Sequence, residues 1–179
     1  MKSISELAAA RVLRSRCSAS VLRKYLKGKE FSIEEIEPVI ESFIEYGYLD
    51  DLQYCRDFIA HGERKGWGEL RIKRELRKRE LSTDDISVAF DEKAENAEAE
   101  DVNSEANRAL AVALKVVRQS GMDIEGRLPE KLKNRIIRRL STYGYGSSIV
   151  FSTLSKLDEL ARDEILFDYE VSPIYCYLM

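Results

Sequence analysis

Phe31-Ser32-Ile33-Glu34-Glu35-Ile36 is the stretch that decides the fold, because it recurs fifty residues later as Leu81-Ser82-Thr83-Asp84-Asp85-Ile86. Each copy reads as a helix start. Ser supplies the N-cap oxygen, and two acids in the first turn face the positive end of the helix dipole. A third copy, Tyr145-Gly146-Ser147-Ser148-Ile149-Val150, follows at an offset of 64; it keeps the apolar positions and loses the acids. The repeat extends both ways. Upstream, Leu22, Leu26 and Phe31 become Ile72, Leu76 and Leu81, then Ile136, Leu140 and Tyr145. A spacing of four puts the first two of each set on one helical face. Downstream, Ile36 and Ile40 become Ile86 and Phe90, then Val150 and Leu154.

A leading helix completes each unit, near 4–16, 51–64 and 103–119. The expected fold is therefore all-α, three tandem three-helix repeats in an elongated, curved array. The expected boundaries are 1–48, 49–94 and 100–158, with a C-terminal tail at 159–179. Three helices are too few to bury an apolar face alone, so stacking on a neighbour supplies the remaining core. Pro38 is expected near the first turns of its helix, where a missing N–H costs little, and Pro129 as a first helical residue. Ala and Glu favour continuing the helix that starts near 84 into the acidic stretch 91–104. The apolar segment from Val171 to Met179 stands outside the pattern.

Composition agrees with an all-helical chain. The 179 residues hold only 3 Pro and 9 Gly, and 34% are charged. The net charge of −3 argues against a general nucleic-acid binder, but it averages over blocks. Residues 64–79 hold eight basic and two acidic side chains, and 108–140 nine and three; 84–105 hold one and nine, and 158–179 one and six. The second helix of every unit is cation-rich. It carries Arg23, Lys24 and Lys27 in the first unit. In the second it carries Arg71, Lys73, Arg74, Arg77, Lys78 and Arg79, preceded by Arg64 and Lys65. In the third it carries Arg135, Arg138 and Arg139, with Lys131 and Lys133 before them. Arg71, Arg74 and Lys78 share one side at i, i+3 and i+7. Such cations meet phosphates or partner carboxylates; the plainer reading is a solvated face with a few pairs to Glu75 and Glu80.

Catalytic equipment is thin. His61 is the only His, and it reads as a surface side chain. The three cysteines, Cys17, Cys55 and Cys176, are far apart with no CxxC, so neither a disulfide framework nor a zinc site is expected. Cys17 and Cys55 read as small core residues. No phosphate-cradling glycine motif occurs. Asp50 and Asp51 read as a helix cap, not as an acid/base or metal pair. The expectation is no catalytic residue, no metal, no cofactor and no membrane span, in a reduced cytoplasmic setting.

The best-defined stretch runs Tyr46-Gly47-Tyr48-Leu49-Asp50-Asp51, then Tyr54, Phe58-Ile59, Arg64-Lys65-Gly66-Trp67-Gly68 and Arg71-Ile72-Lys73-Arg74-Glu75-Leu76. Gly47 suits a left-handed helix end. Tyr48 and Leu49 read as core. Trp67, between two glycines, reads first as a plug for its own unit and second as a partner contact. This layout resembles the RecX family, bacterial regulators of the RecA recombinase, over most of residues 8–157. The family pattern has G-Y-[LI]-[DN]-D, then R-x-x-K-G-x-G, then R-I-x-x-E-L. Here Tyr54-Cys55 stands where the family has a Phe-Ala-like pair, and the usual Gly after the basic helix is missing from Arg79-Glu80-Leu81. The resemblance implies a monomeric, non-enzymatic modulator that binds RecA and RecA–DNA filaments. By blocking extension or promoting disassembly it lowers recombinase, ATPase and co-protease activities, within homologous recombination and the SOS response. Single- or double-stranded DNA is a further expected partner. Two other readings remain open on the residues alone: a direct DNA-binding helical repressor, and a helical protein-interaction scaffold.

Overall fold

The computed structural model describes residues 3–96, 104–122, 124 and 126–169. Among these there are nine helices and no strand. They are α1 (Ile4–Arg14), α2 (Ala19–Lys27), α3 (Ile33–Glu45), α4 (Asp51–Arg64), α5 (Glu69–Lys78), α6 (Thr83–Glu95), α7 (Glu105–Arg118), α8 (Glu130–Tyr143) and α9 (Ser147–Arg162). No helix of the described residues is long and apolar enough to cross a membrane.

The helix starts follow from the serines. Ser3, Ser18, Ser32, Ser82 and Ser104 each accept a bond from the backbone N–H three residues on. At Ser3 and Ser32 the glutamate three residues on also reaches back to the cap N–H at 2.8 Å. Each such cap is worth about 1 kcal/mol. The repeat is visible in the backbone. Ser32, Ser82 and Gly146 occupy the N-caps of α3, α6 and α9. Just before them, Glu30, Glu80 and Gly144 all take a left-handed conformation, with φ of 68°, 58° and 86°. Their N–H groups bond back to Lys27, Arg77 and Ser141 carbonyls at 3.0, 2.9 and 3.0 Å. Leu22 and Leu26, Ile72 and Leu76, and Ile136 and Leu140 are all fully buried.

The chain divides into two compact units, Met1–Phe58 with Arg74–Asn96, and Ile59–Lys73 with Ala97–Met179. In the first, α1, α2 and α3 enclose Ala8, Leu22, Leu26, Ile36, Ile40 and Leu49. The two free cysteines of the described residues, Cys17 and Cys55, are buried, as expected. Burial pushes the Cys55 thiol up to about 11, with the nearby Asp85 and Asp51 carboxylates adding to it. Asp51 receives the Ala19 N–H at 2.9 Å, and Asp50 the Gln53 N–H at 2.7 Å, so both acids cap helix starts. In the second unit α7 is buried over most of its surface, with Ala109, Leu110, Ala113, Leu114 and Val117 in the core, and α8 and α9 pack against it. Lys133 is 8% exposed and bonds Asp158 at 2.6 Å. Burial alone would raise the Asp158 carboxyl. The Lys133 bond, the Leu128 N–H and the nearby positive charges outweigh it, leaving the group below its ordinary value.

Several expectations change. Tyr48 is 63% exposed, not core. Gly47, at φ 70°, turns the chain so that the N–H groups of Tyr48 and Leu49 both reach the Phe43 carbonyl. Leu49 then enters the core, while the Tyr48 ring leans on Phe43 from outside, 5.5 Å between centroids. Pro38 lies inside α3, past the first turn, so it removes a helical hydrogen bond. Pro129 is the N-cap of α8, extended at ψ 142°, and not its first helical residue. Lys133 belongs to the core and not to a basic surface. Helix α6 ends at Glu95 with Asn96 as cap; residues 97–103 and the segment 170–179 lie outside the described residues.

Candidate partner-binding surface

The predicted cations divide by what they touch. In the first unit, Arg23 grips Glu37 with two nearly parallel bonds, Nε–Oε1 at 2.8 Å and Nη2–Oε2 at 3.0 Å. The hydrogen bond from Arg23 holds the Glu37 carboxyl below the usual range. Lys24 pairs with Glu80, which also accepts from the Ser20 hydroxyl. Lys78 and Arg79 both pair with Glu75, at 2.9 and 3.5 Å. Arg79 also lies over the Phe58 ring, 4.4 Å from its centroid. Lys27, Arg74 and Arg77 are exposed, with no ion partner among the described residues.

In the second unit Lys73 pairs with Glu69 one turn before it. Arg64, Lys65, Arg135, Arg138 and Arg139 are exposed. Arg138 bonds the Asn134 carbonyl of its own helix at 3.3 Å. The Arg71, Arg74 and Lys78 stripe is therefore not uniform: Lys78 is paired with Glu75, and Arg71 is committed to aromatic rings.

Those rings form a ladder. Lys65 Nζ stands 5.4 Å from the Trp67 centroid, and Arg71 Cζ 4.2 Å. Arg71 Cζ is also 5.8 Å from the Tyr143 centroid, and Arg139 Cζ 4.5 Å. The Arg139 guanidinium donates to the Tyr143 hydroxyl at 2.9 Å as well. His61 meets Trp67 edge-on at 6.4 Å. Cations over aromatic faces contribute about 0.5–1 kcal/mol each when exposed, more when desolvated. Arg71 Nε is buried without a hydrogen-bond partner, so the rings are what hold this charge.

The ladder exists because two turns interlock. Helix α5 has Gly68, not a capping side chain, ahead of Glu69. Its orphan N–H groups go instead to distant residues. Gly68 N–H donates to Tyr143 O at 2.8 Å, Leu70 N–H to Gly144 O at 3.1 Å, and Glu69 N–H to Glu105 Oε1 at 2.8 Å. The start of α5 thus meets the end of α8, where carbonyls are unsatisfied and the dipole is negative. The Tyr145 hydroxyl closes the seam on Gly66 O at 2.7 Å. The approach excludes side-chain carbons: a Cβ on Gly68 would lie 2.4 Å from Gly144 O, and one on Gly144 2.3 Å from Arg71 Cβ. Nearby, Glu63 and Arg108 form a buried ion pair at 2.9 Å.

Sequence reasoning missed Tyr143 and Gly144 here. The available signal was a basic helix whose N-cap position holds Gly68, a helix start lacking its own capping oxygen. Among the described residues no group of His, Cys, Asp and Glu is arranged to hold a metal ion.

Residues 50–89 match the family model described as RecX, second three-helix domain. The regulatory protein RecX of Vibrio vulnificus is 36% identical over 75 residues, covering 42% of this chain and 49% of that protein. The regulatory protein RecX of Escherichia fergusonii is 36% identical over 83 residues, covering 45% and 49%. The chain thus spans about half the length of the curated relatives it matches. The likeness in fold reaches further. The crystal structure of RecX from Lactobacillus salivarius aligns with a TM-score of 0.73 at 15% identity, covering 87% of this chain and 95% of that one. A second, a crystal structure of regulatory protein RecX, aligns at 0.70 and 20% identity, covering 86% and 71%. The shared architecture is an all-α helical repeat.

Proposed function

We propose, on the premise that residues 50–89 match the second three-helix domain of RecX, that the chain is a RecX-family, non-enzymatic regulator of the RecA recombinase. It binds RecA and RecA–DNA filaments as a monomer in the cytoplasm. It lowers ATP hydrolysis, strand exchange and co-protease activity by blocking filament extension or promoting disassembly. The nucleotide belongs to the recombinase, and this chain brings no cofactor. Its working modules are the three-helix units at 1–48, 49–94 and 100–158, and Trp67 is a further contact residue.

The observation that carries this reading is the pair Arg74 and Arg77 on the matched domain. Both are exposed on a helix whose other cations are occupied, and neither has an ion partner among the described residues. Two guanidinium groups left open beside four paired or stacked cations, Arg71, Lys73, Lys78 and Arg79, are a surface for carboxylates or phosphates. The test is RecA ATP hydrolysis on single-stranded DNA with increasing amounts of this chain. Reversing both charges, Arg74→Glu with Arg77→Glu, is expected to raise the half-inhibitory concentration at least about tenfold at unchanged helicity. Unchanged inhibition removes this face from the mechanism. The same exposed cations also suit duplex DNA, and a gel shift without recombinase decides that reading. Tight, sequence-selective binding would favour a repressor.

A further inference from the structure

We propose that the cleft between the α1–α2 link and the α3–α4 corner is a receptor for an arginine side chain of a partner polypeptide. The cleft holds about 160 Å³ and is walled by Arg16, Cys17, Tyr48, Asp50, Gln53 and Tyr54. That space suits one guanidinium with its methylene stem. All of these residues belong to the first compact unit. Three of the ten exposed large apolar side chains of the described residues, Ile44, Tyr46 and Tyr48, crowd into the five residues that lead into it. An exposed apolar patch of that kind marks a contact surface.

The charges of the walls select the ligand. Arg16 is paired with Asp57, whose other carboxylate oxygen accepts from Gln53 Nε2 at 3.0 Å. Asp50 Oδ1 accepts the Gln53 N–H at 2.7 Å, and its second oxygen has no partner among the described residues. Asp51 stands next in the chain. Its half-buried carboxyl lies above the ordinary value, raised first by burial and further by the Asp85 and Asp50 charges. The corner thus carries more negative charge than Arg16 offsets, and an anion would meet an unpaired carboxylate. A neutral apolar side chain would strip water from Asp50 without replacing its bonds. A guanidinium gives Asp50 a charge-assisted bond and presents a flat cation to the phenol rings. No cation of the described residues lies over Tyr48 or Tyr54, in contrast to Trp67 and Tyr143. A lysine would reach the carboxylate as a point charge and lose the stacking. The walls are also preformed. The N–H groups of Tyr48 and Leu49 are both held by the Phe43 carbonyl, and Asp51 holds the Ala19 N–H at 2.9 Å, so docking orders little of the protein.

This goes beyond the recombinase reading: the cleft takes a cation, whereas Arg74 and Arg77 take anions. The test is an amide-shift titration of the full chain, at fixed ionic strength, with Nα-acetyl-arginine N-methylamide. Half-saturation is expected at about 1–10 mM, as befits so small a ligand, with shifts centred on Tyr48, Asp50 and Gln53. The matching citrulline amide, the same shape without the charge, should bind at least about tenfold more weakly, and the lysine amide at least about threefold. Asp50→Asn keeps the oxygen that caps α4 and should weaken the arginine amide about tenfold. Tyr48→Ala, at an exposed position, should weaken it about threefold. Absence of binding, equal binding of citrulline or of lysine, shifts confined elsewhere, or unchanged affinity in both variants would overturn the proposal. So would tighter binding of free L-arginine, because the side chain of a partner brings no α-carboxylate. Should a variant lose its helicity, the comparison of arginine with citrulline on the unaltered protein decides. A failure here leaves the ATP hydrolysis test of Arg74 and Arg77 standing by itself.

Discussion

Gly144→Ala is the sharpest probe of the seam that starts α5. Three contributions set its magnitude. A non-glycine residue held at φ 86° carries about 1–2 kcal/mol of strain. The new Cβ would lie 2.3 Å from Arg71 Cβ and 2.4 Å from Arg71 N, so the two turns must part. Parting them lengthens the Gly68–Tyr143 and Leu70–Gly144 bonds, worth about 1 kcal/mol each. The stiffer unfolded chain returns about 0.4–1 kcal/mol. The net loss is about 2–4 kcal/mol, or roughly 4–16 °C in melting temperature for a chain of this size. Gly121→Ala is the control. It has the same kind of backbone, φ 62°, but nothing within 4 Å of its Cβ, so it should lose only about 0–1.5 kcal/mol. Urea unfolding gives the global value. Emission from Trp67, the sole tryptophan, reports the seam locally, since Arg71 lies 4.2 Å from its ring. Equal losses in the two variants, with unchanged emission, would refute the close-approach reasoning.

Two more outcomes follow from the same structure. Glu30→Gly should stabilise by about 1 kcal/mol, because Glu30 is exposed at φ 68° and glycine takes that conformation without strain; a lower melting temperature would contradict this. Asp158 is depressed in the folded state, so its contribution is full above the unfolded carboxyl value and lost as pH falls through the lower folded value. Asp158→Asn should weaken the protein at pH 7 by about 3–5 kcal/mol, the cost of leaving buried Lys133 unpaired, and should flatten the acid limb of urea midpoints measured from pH 7 to pH 3. A variant with an unaltered acid limb would show that other carboxylates set it.

The repeat was legible because it is written in residues that pack locally. Leu22/Leu26, Ile72/Leu76 and Ile136/Leu140 announce one buried helix face each, and Ser32 and Ser82 announce helix starts through bonds three residues long. The left-handed conformation of Glu30 and Glu80 was half legible: the offsets of 50 and 64 align both with Gly144, but a glutamate gives no sign of a positive φ. For the surface, helix position told which cations lie on α5 but not which are spent. Lys78 is paired within its own helix, whereas Arg71 is engaged by Tyr143, 72 positions away. Lys133 looked like part of a basic surface and is core, because Asp158 waits for it on another helix. Nonlocal pairing decides the chemical state of a charge, and one-dimensional spacing carries little of it. Tyr48 failed for the converse reason: a single left-handed residue ahead of it exchanged inside for outside.

The seam also orders events in time. The first turn of α5 obtains its hydrogen-bond acceptors from Glu105, Tyr143 and Gly144. During synthesis those carbonyl and carboxylate groups emerge long after α5 itself, and chains leave the ribosome N-terminus first. Until Tyr143 and Gly144 have been made, a nascent chain therefore lacks acceptors for the first N–H groups of its most basic helix. The helix that bears Arg74 and Arg77 is completed only when the α8–α9 corner arrives, so a prematurely terminated chain would lack a finished basic helix as well as its final segment.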